Sequence, residues 1–332
     1  MENNLDAKNV PELRFAQKFQ VFVRRSPARM AVIISVGLYL FTVAMVPTAL
    51  NMSAITSIVL LTLLLSFASA GQTLVLIGGG MDFTVGAVMS ASAIFTTATM
   101  NGQNGRFLQA FGMVMAMSLV IGLLNGICSV KIGLPPLIVT MAISNVVSRL
   151  QYVFTQGSSL GYASPTFIKT VISKLFGVVP SLALYALLFY PLVFYILNRS
   201  RLGRQVYLVG NNPVAARLNG IAVNKVVILT YIISAMFSGF AGMLGAAYMQ
   251  SAKCQMFDNY AYNSLIAVIV GGTALTGGVG TYTGSIAGSL LMVVLNNTLT
   301  ALNLAQPTRN VLLGLVMVLL LILYNRGKSV RQ

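Results

Sequence analysis

About ten apolar runs of membrane-spanning length divide this chain, and they constrain its fold more than any other feature. A transmembrane helix needs roughly 20 mostly apolar residues, because its backbone N–H and C=O groups must pair within the lipid. Hydrophobic residues make up 57% of the chain and charged residues 8%, too little polar surface for a water-soluble domain. We therefore predict an all-α integral membrane protein. The expected spans are 30–48, 55–77, 83–100, 108–130, 136–155, 180–198, 226–249, 262–276, 282–301 and 308–325.

The basic residues predict the orientation of these spans. Lys and Arg accumulate on the cytoplasmic side of a membrane protein. With both termini inside, 15 basic residues fall on the inner side and five on the outer side, with Arg149 near the outer end of its span. The sequence thus predicts cytoplasmic N- and C-termini in the plasma membrane, the inner membrane of a bacterium. The net charge of +16 does not indicate nucleic-acid binding, because the basic residues are spread among the ends of apolar segments.

The segments outside the spans are short. Residues 1–29 are basic, and Phe15, Phe19 and Phe22 have helical spacing, which favours an amphipathic helix on the inner leaflet over a disordered basic tail. The run at 30–48 is too long for an ordinary signal peptide, so we expect a retained signal anchor. Residues 326–332 are expected to form a cytoplasmic tail, which leaves 30–325 as one transmembrane domain.

Two glycine-rich stretches suggest an internal repeat. IGGGMDFTVGA at 77–87 and IVGGTALTGGV at 269–279 align at an offset of 192, and an Asn precedes a Pro by 11 residues at both Asn125 and Asn296. Halves of about 30–178 and 179–325 would hold five spans each, and an odd number inserts them in opposite orientations. The glycines are too dense for helix packing alone, so we expect turns or broken helices. The glycines at these predicted breaks are Gly79, Gly80, Gly86, Gly271, Gly272 and Gly278.

Asp82 is the only acid between apolar runs that this topology places on the inner side. An ionisable group near a span is a candidate for a proton or ion site. An aspartate at the start of a helix also caps free N–H groups, and we favour that role because the chain has no histidine to extend a proton relay. Neutral amides in the spans could either line a path for a hydroxylated solute or join helices. The candidate polar residues are Gln72, Asp82, Asn125, Asn145 and Asn296.

Motifs for catalysis are missing from the sequence. It has no histidine, no G-x-x-x-x-G-K-[ST] nucleotide loop, no Cys/His metal cluster and no close carboxylate pair. We therefore predict a protein that is not an enzyme and that binds neither a metal nor a cofactor. The energy for any transport would come from a gradient or from another chain.

Residues 199–225 form the one long polar stretch between two membrane-length runs, with five Lys or Arg and no acid. The basic composition predicts a cytoplasmic loop. Asn212 followed by Pro213 is typical of the start of a helix, and Gly220 is suited to end it. We expect Ala215, Ala216 and Leu218 to form a small packable surface on this short helix, with Arg201, Arg204 and Arg217 facing acidic groups or lipid phosphates.

This loop resembles that of the permease subunits of bacterial ABC importers for ribose and related monosaccharides. The family pattern T-x-F-G-R-x-[VL]-Y-A-x-G-x-N-x-x-A-A-R-x-x-G-I matches here in register. GGGMDFTVG at 78–86, VGGTALTGGVG at 270–280 and residues 131–141 are similar to three further family motifs. The matching loop residues are Leu202, Gly203, Arg204, Val206, Tyr207, Gly210, Asn212, Ala215, Ala216, Arg217, Gly220 and Ile221.

The resemblance implies a fold and a set of partners. It implies a ten-span, type II importer-like subunit that pairs with a second permease copy or a paralogue. It also implies two ATPase subunits, which bind ATP and Mg, and an extracytoplasmic sugar-binding protein. Within 199–225, residues 212–220 would be the coupling helix that docks on the ATPase. Substitution of Arg217 by Glu or of Ala216 by Trp is expected to uncouple ATP hydrolysis from uptake in a folded protein.

The chain departs from the family before the eighth span. Where the family commonly has E-L-D-A-I-A-A-V, this chain has AYNSLIAV, with Asn263 at the aspartate position and the nearest acid at Asp258. Two alternatives stay open at this point. One is a branched-chain amino-acid ABC permease, although nearly uncharged spans favour a neutral hydroxylated solute. The other is a secondary transporter or channel driven by protons or ions.

Overall fold

The computed structural model of the protein describes residues 26–315 except 176 and 178. The predicted amphipathic N-terminal helix and the C-terminal tail lie outside the described residues. Helices occupy all ten predicted apolar runs, the last of them over the described residues 306–315. In chain order the helices are α1 Pro27–Met45, α2 Met52–Ile77, α3 Val85–Met100, α4 Phe107–Ile127, α5 Pro136–Thr155, α6 Pro165–Ile172, α7 Leu182–Asn198, α8 Arg201–Asn211, α9 Pro213–Leu218, α10 Val223–Met249, α11 Tyr260–Val270 and α12 Tyr282–Ala301.

The remaining elements are short. Turns of 3₁₀ helix cover Pro47–Ala49 and Asn104–Arg106, and a π-helical turn, Cys128–Ile132, extends α4. The strands Lys174–Leu175 and Val179–Pro180 pair antiparallel, with Lys174 opposite Pro180. Strand pairing thus makes a negligible contribution to the described part of the chain, as expected for an all-α multi-pass membrane protein.

Six described helices are long and apolar enough to cross a membrane, or seven if α7 and α8 form one bent span. The helices α3 and α11 are shorter, because the loops beside them enter the bundle. Asp82, just before α3, contacts Ser234 in the middle of α10. Phe257, just before α11, donates its backbone N–H to the Ser90 hydroxyl within α3. Irregular backbone at this depth is tolerated because it is buried in protein.

Helix α10 lies at the centre and packs on α2, α3 and α4. Its glycines allow this close approach: a Cβ on Gly242 would lie 2.3 Å from the Met89 carbonyl oxygen of α3. Such contacts are typical of membrane helices, which associate through small residues and side-chain hydrogen bonds because lipid supplies no hydrophobic drive between them.

Loop contacts divide the connections into two faces. On one face, Gly102 donates to the Tyr162 carbonyl and Ala163 donates to the Gln250 carbonyl, which joins the loops before α4, α6 and α11. On the other face, the Gly278 N–H donates to the Ile77 carbonyl, which joins the α11–α12 and α2–α3 connections. Both glycine-rich stretches and α8 therefore share one face, as the predicted topology requires.

Candidate functional site: the α8–α9 segment and the break it rests on

Residues at its two ends determine where the helix α9 begins and ends. The Asn212 side-chain oxygen accepts hydrogen bonds from the backbone N–H groups of Val214 and Ala215, both at 3.0 Å. Pro213 fills the first helical position, where no N–H is required. At the other end, Gly220 takes φ +76°, a conformation that glycine adopts without strain. The predicted start and end of the helix are therefore present.

Most of α9 is exposed, and one side chain anchors it. Ala216 is 4% exposed and joins the main core, whereas Leu218 is 84% exposed and Val214 is 65% exposed. Ala215 and Arg217 are also exposed. Val214 and Leu218 are four residues apart and so lie on one side of the helix. The outward surface thus consists of Val214, Ala215, Arg217 and Leu218, which we call the α9 outer face.

This arrangement corrects one prediction about Ala216. From the sequence, Ala216 is expected on the outward surface, and its replacement by Trp is expected to leave the protein folded. The side chain points into the core, where an added indole would overlap its neighbours. Substitution of Ala216 therefore tests packing, and tests of docking belong on the α9 outer face.

The helix α8 joins α9 to the helix bundle. It begins after a bend of 57° from α7, with the Ser200 hydroxyl accepting from the Gly203 N–H at 3.0 Å. Gly203 is buried, and a Cβ there would lie 2.2 Å from the Leu197 carbonyl oxygen. Arg201 and Arg204 are exposed on the opposite side, and Arg204 donates to the Arg199 carbonyl. The arginines predicted as surface groups therefore do lie on the surface.

Gly210, near the end of α8, packs directly on the two glycine-rich connections. A Cβ at this position would lie 1.8 Å from the Ile77 carbonyl oxygen and 2.7 Å from the Gly278 nitrogen. Gly79 and Gly277 complete the contact, both with positive φ. We call these four residues, Gly79, Gly210, Gly277 and Gly278, the glycine junction. The junction links the α8–α9 segment to the α2–α3 and α11–α12 connections without intervening side chains.

Tyr207 strengthens the same contact. Its hydroxyl donates to the Gly280 carbonyl at 2.8 Å, one turn of α8 before Gly210. Burial raises the pKa of the Tyr207 phenol, so the group stays protonated as a donor at neutral pH. The other predicted glycines divide between turns and close contacts. Gly272 has φ +96°, Gly80 contacts the Tyr231 hydroxyl, Gly271 contacts Gly284, and Gly86 lies within α3 against Asp258.

Asp82 lies at the far end of the α2–α3 connection and is completely buried. One carboxylate oxygen accepts from the Thr84 N–H at 2.9 Å and from the Thr84 hydroxyl. The other accepts from the Ser234 hydroxyl of α10 at 2.7 Å. Asn125 of α4 donates to the Thr84 hydroxyl oxygen at 2.9 Å, which brings two predicted polar residues into one network. Both carboxylate oxygens are therefore used inside the chain.

The backbone beside Asp82 is satisfied by side chains from other helices. The Met81 carbonyl accepts from the Thr140 hydroxyl of α5 and the Tyr231 hydroxyl of α10, each at 3.3 Å. Buried carbonyls without partners are costly in lipid, so these bonds allow the chain to break at this depth. The Asp82 network, which consists of Asp82, Thr84, Asn125 and Ser234, thus holds the break that the glycine junction touches.

A family comparison agrees with this geometry. The model of a family described as "Branched-chain amino acid transport system / permease component" matches residues 54–321, most of the chain. The chain belongs to this permease family. No solved structure is detectably similar to it.

Several relatives of this permease are import permeases. It is 28% identical over 262 residues to the ribose import permease protein RbsC of Escherichia coli strain K12, covering 78% of this chain and 81% of the relative. It is 29% identical over 326 residues to the fructose import permease protein FrcC of Rhizobium meliloti, covering 91% and 86%. It is 28% identical over 295 residues to the galactose/methyl galactoside import permease protein MglC of Haemophilus influenzae, covering 83% and 88%. The resemblance to sugar ABC permeases is thus confirmed.

The other predicted polar residues of the permease lie apart from this network. Gln72 is fully buried, and within the described residues both its side-chain polar atoms lack a hydrogen-bond partner. Asn145 is exposed and donates to the Met141 carbonyl of its own helix. Asn296 is half-buried and lines a cavity near the opposite face. These amides therefore do not form one site with Asp82.

Sequence reasoning missed the partners of the break. These partners could not be recognised in the sequence, because single hydroxyl residues are common in membrane helices. They are Thr84, Thr140, Tyr231 and Ser234. In the sequence, Tyr207 is only a matching residue of the loop motif, although its bond to Gly280 couples two parts of the site. In the described part of the chain, no cluster of three or more potential metal ligands is present.

Proposed function

We propose that this permease is the membrane subunit of an ATP-driven importer of a monosaccharide or a related neutral, hydroxylated solute. ATP and Mg would be bound by separate cassette subunits, because the sequence carries no nucleotide-binding loop. A second permease, either a copy or a paralogue, would complete the path, and an extracytoplasmic binding protein would deliver the solute. Both termini and the α8–α9 segment would be cytoplasmic.

The observation that carries the proposal is the α9 outer face, which is exposed at the end of α8. Val214 and Leu218 present apolar surface beside the positive charge of Arg217, at the end of a polar segment. An apolar anchor with a basic rim is typical of a helix that docks in a groove on a partner protein. A cassette subunit with acidic groups around an apolar groove fits this face.

The glycine junction offers a mechanical route inward. A cassette that displaced α9 would displace α8, because the two helices pack together and Asn212 both ends α8 and caps α9. Gly210 would transmit that movement to the carbonyl of Ile77 and to Gly278, with no flexible side chain to absorb it. Displacement there would shift α2 against α12 and open or close a path between paired permeases.

Two features support a neutral solute. The relatives named above are import permeases for ribose, fructose and galactose. In addition, Asp82 is completely buried and both its oxygens accept hydrogen bonds from the chain itself, so the carboxylate is not exposed to bind an ammonium group. The same burial and bonding argue against Asp82 as the proton or ion site of a secondary transporter. A branched-chain amino acid, with two charges, fits such a path less well than a sugar.

The test uses the complete transporter in membrane vesicles. We expect wild-type vesicles to accumulate D-ribose, D-fructose or D-galactose in an ATP-dependent manner when the binding protein is present. We expect Leu218→Glu and Arg217→Glu to abolish uptake and the retention of the cassette subunit during purification, with an unchanged melting temperature. The reason is that both side chains are exposed and make the α9 outer face acidic.

Asn198→Glu is the matched control. Asn198 is exposed at the end of α7, and the same charge there is expected to leave uptake and cassette binding intact. Uptake that persists without ATP, or that an uncoupler abolishes while ATP is held constant, would contradict the proposal. Normal uptake in both α9 variants would contradict the docking role of α9.

A further inference from the structure

A group of neutral amides lies inside the membrane region near the face opposite α9. Asn296 is five residues before the end of the 20-residue helix α12, which places it about 7 Å inside that end at 1.5 Å per residue. Asn263 lies in the first turn of α11, which begins within the bundle. Close antiparallel packing of α11 on α12, with Gly288 against the Ala267 carbonyl, places Asn263 about one helical turn from the level of Asn296.

Two cavities flank these amides. The first, about 290 Å³, lies between α2, α11 and α12. The second, about 300 Å³, lies between α11, α12 and the helix at 306–315. Both are lined by Asn263 and Asn296. The further polar residues of the first cavity are Ser57, Tyr260, Asn297 and Thr300, and those of the second are Asn259, Tyr262, Gln306 and Asn310.

Among the described residues, none of these amides has a side-chain hydrogen bond to another helix. The Asn296 side chain donates to the Met292 carbonyl one turn back on its own helix. Gln306 donates to Asn310, also within one helix. Each amide group has two donors and two acceptor lone pairs, so most of this capacity is unused by the contacts named here. The usual structural role of a membrane amide, a bond between neighbouring helices, is therefore not what the geometry shows.

Contact with lipid acyl chains is also a poor explanation for the position of these amides. Transfer of an unpaired amide from water to hydrocarbon costs about 4–8 kcal/mol, and six amides surround these two cavities. Polar groups within membrane segments face a water-filled path or a partner. Among the described residues, the lining contains no charged side chain. Arg309 donates to the hydroxyl of Thr300, which lines the first cavity.

We propose that Asn263 and Asn296 form a solute-contacting site on the outer half of the transport path, and that this site takes a small polyhydroxylated molecule. The inference rests on the proposed function and names the residues that would determine its specificity. Cavities of about 300 Å³ are at the lower limit of ligand pockets, so they suit a monosaccharide. Amides donate and accept at once, as a hydroxyl does, and they leave a neutral solute uncharged.

The site differs from the α8–α9 segment in what it should control. The α9 outer face would govern the use of ATP, whereas the amides would govern the passage of solute. A change at Asn263 or Asn296 should therefore lower uptake without lowering the ATPase activity that the binding protein stimulates. This separation is the readout that a merely structural role would not produce, because a folding defect would lower both activities.

The test compares Asn263→Leu and Asn296→Leu in vesicles that contain the complete transporter. Leucine keeps the side-chain size and removes the hydrogen-bonding groups. The probes are radiolabelled D-ribose, D-fructose and D-galactose at subsaturating concentration. We expect each variant to lower uptake of the transported sugar about tenfold, the effect of one lost hydrogen bond to a solute. ATPase stimulation and the melting temperature should not change, and Asn296→Gln should restore part of the uptake.

Gln109→Leu is the matched control, because Gln109 is exposed near the corresponding end of α4 and lines neither cavity. Its uptake should equal that of the wild type. Uptake of a sugar by the wild type and by both leucine variants alike would overturn this inference and leave the proposed function standing. Failure of the leucine variants to assemble with the second permease would also overturn it, in favour of an assembly surface. No uptake of any probe by the wild type would contradict the proposed function itself.

Discussion

The Asp82 network and the α9 outer face lie in the same half of the permease, yet the first is polar and buried whereas the second is largely apolar and exposed. Asp82 is fully buried, and hydroxyl and N–H groups of this chain occupy both its oxygens. Val214 and Leu218 of α9 are exposed. The first region is complete within the chain, whereas we propose that the second is completed by another protein. Two equally clear sequence motifs would then serve folding in one case and assembly in the other.

The largest expected effect comes from the point where the two regions meet. Gly210→Val would place a side chain where a Cβ alone lies 1.8 Å from the Ile77 carbonyl oxygen. We expect a loss of at least about 3 kcal/mol of stability, and little folded protein, because backbone on both sides leaves no room for relaxation. Fluorescence-detected size-exclusion chromatography in detergent measures the folded fraction. Gly112→Ala on α4, with no atom within 4 Å of its added Cβ, should behave as wild type.

The next prediction separates a structural carboxylate from a transporting one. Asp82→Ala removes the acceptor for three donors, and we expect about 3 kcal/mol of destabilisation, seen as a lower melting temperature. Asp82→Asn keeps one oxygen for Thr84 and places an N–H₂ group beside the Ser234 hydroxyl, which can accept. We expect this variant to be folded and to retain most of its uptake. Loss of uptake in a stable Asp82→Asn protein would show that the charge itself serves transport.

A smaller effect is expected at the cap of α9. Asn212→Ala removes the acceptor for the Val214 and Ala215 N–H groups and should destabilise α9 by about 1 kcal/mol. Because α9 is on the surface, we expect the melting temperature of the bundle to stay within a degree or two and uptake to fall severalfold. Asn212→Asp, which preserves the cap, is the control. Equal uptake in the two variants would show that coupling does not depend on how well ordered α9 is.

The smallest effect on uptake is expected at Tyr207. Tyr207→Phe removes one hydrogen bond to the Gly280 carbonyl and keeps the ring. The lost hydrogen bond contributes about 1 kcal/mol. If the glycine junction transmits movement, the variant should hydrolyse more ATP for each solute imported, by about twofold, at unchanged stability. An unchanged ratio of hydrolysis to uptake would place transmission elsewhere. Tyr195→Phe, an exposed tyrosine of α7, is the control.

The sequence predicted the elements of both regions better than their contacts. The Asn212 cap, the helix it starts and the turn at Gly220 follow from neighbouring residues, so local reasoning located them. Ala216 was assigned to the wrong side of α9, because a six-residue helix has too few residues to show which side meets the bundle. Both glycine stretches are predicted as breaks. One lies between the second and third spans and the other between the eighth and ninth, so they are far apart in the sequence. Their alignment could not show that they are in contact.

The sequence by itself determined the solvent, the number of apolar runs and the permease family, because hydropathy and motif spacing are local properties of the chain. The sidedness of the basic loops stays a prediction from the charge pattern. The tertiary structure alone decided that Asp82 lies deep in the bundle, bonded to Ser234 152 residues away. It also decided that Gly210 rests on two breaks and that Asn263 faces the same cavities as Asn296. Such partners depend on which helices pack together, and in a membrane that choice follows from close backbone contacts and hydrogen bonds between distant segments.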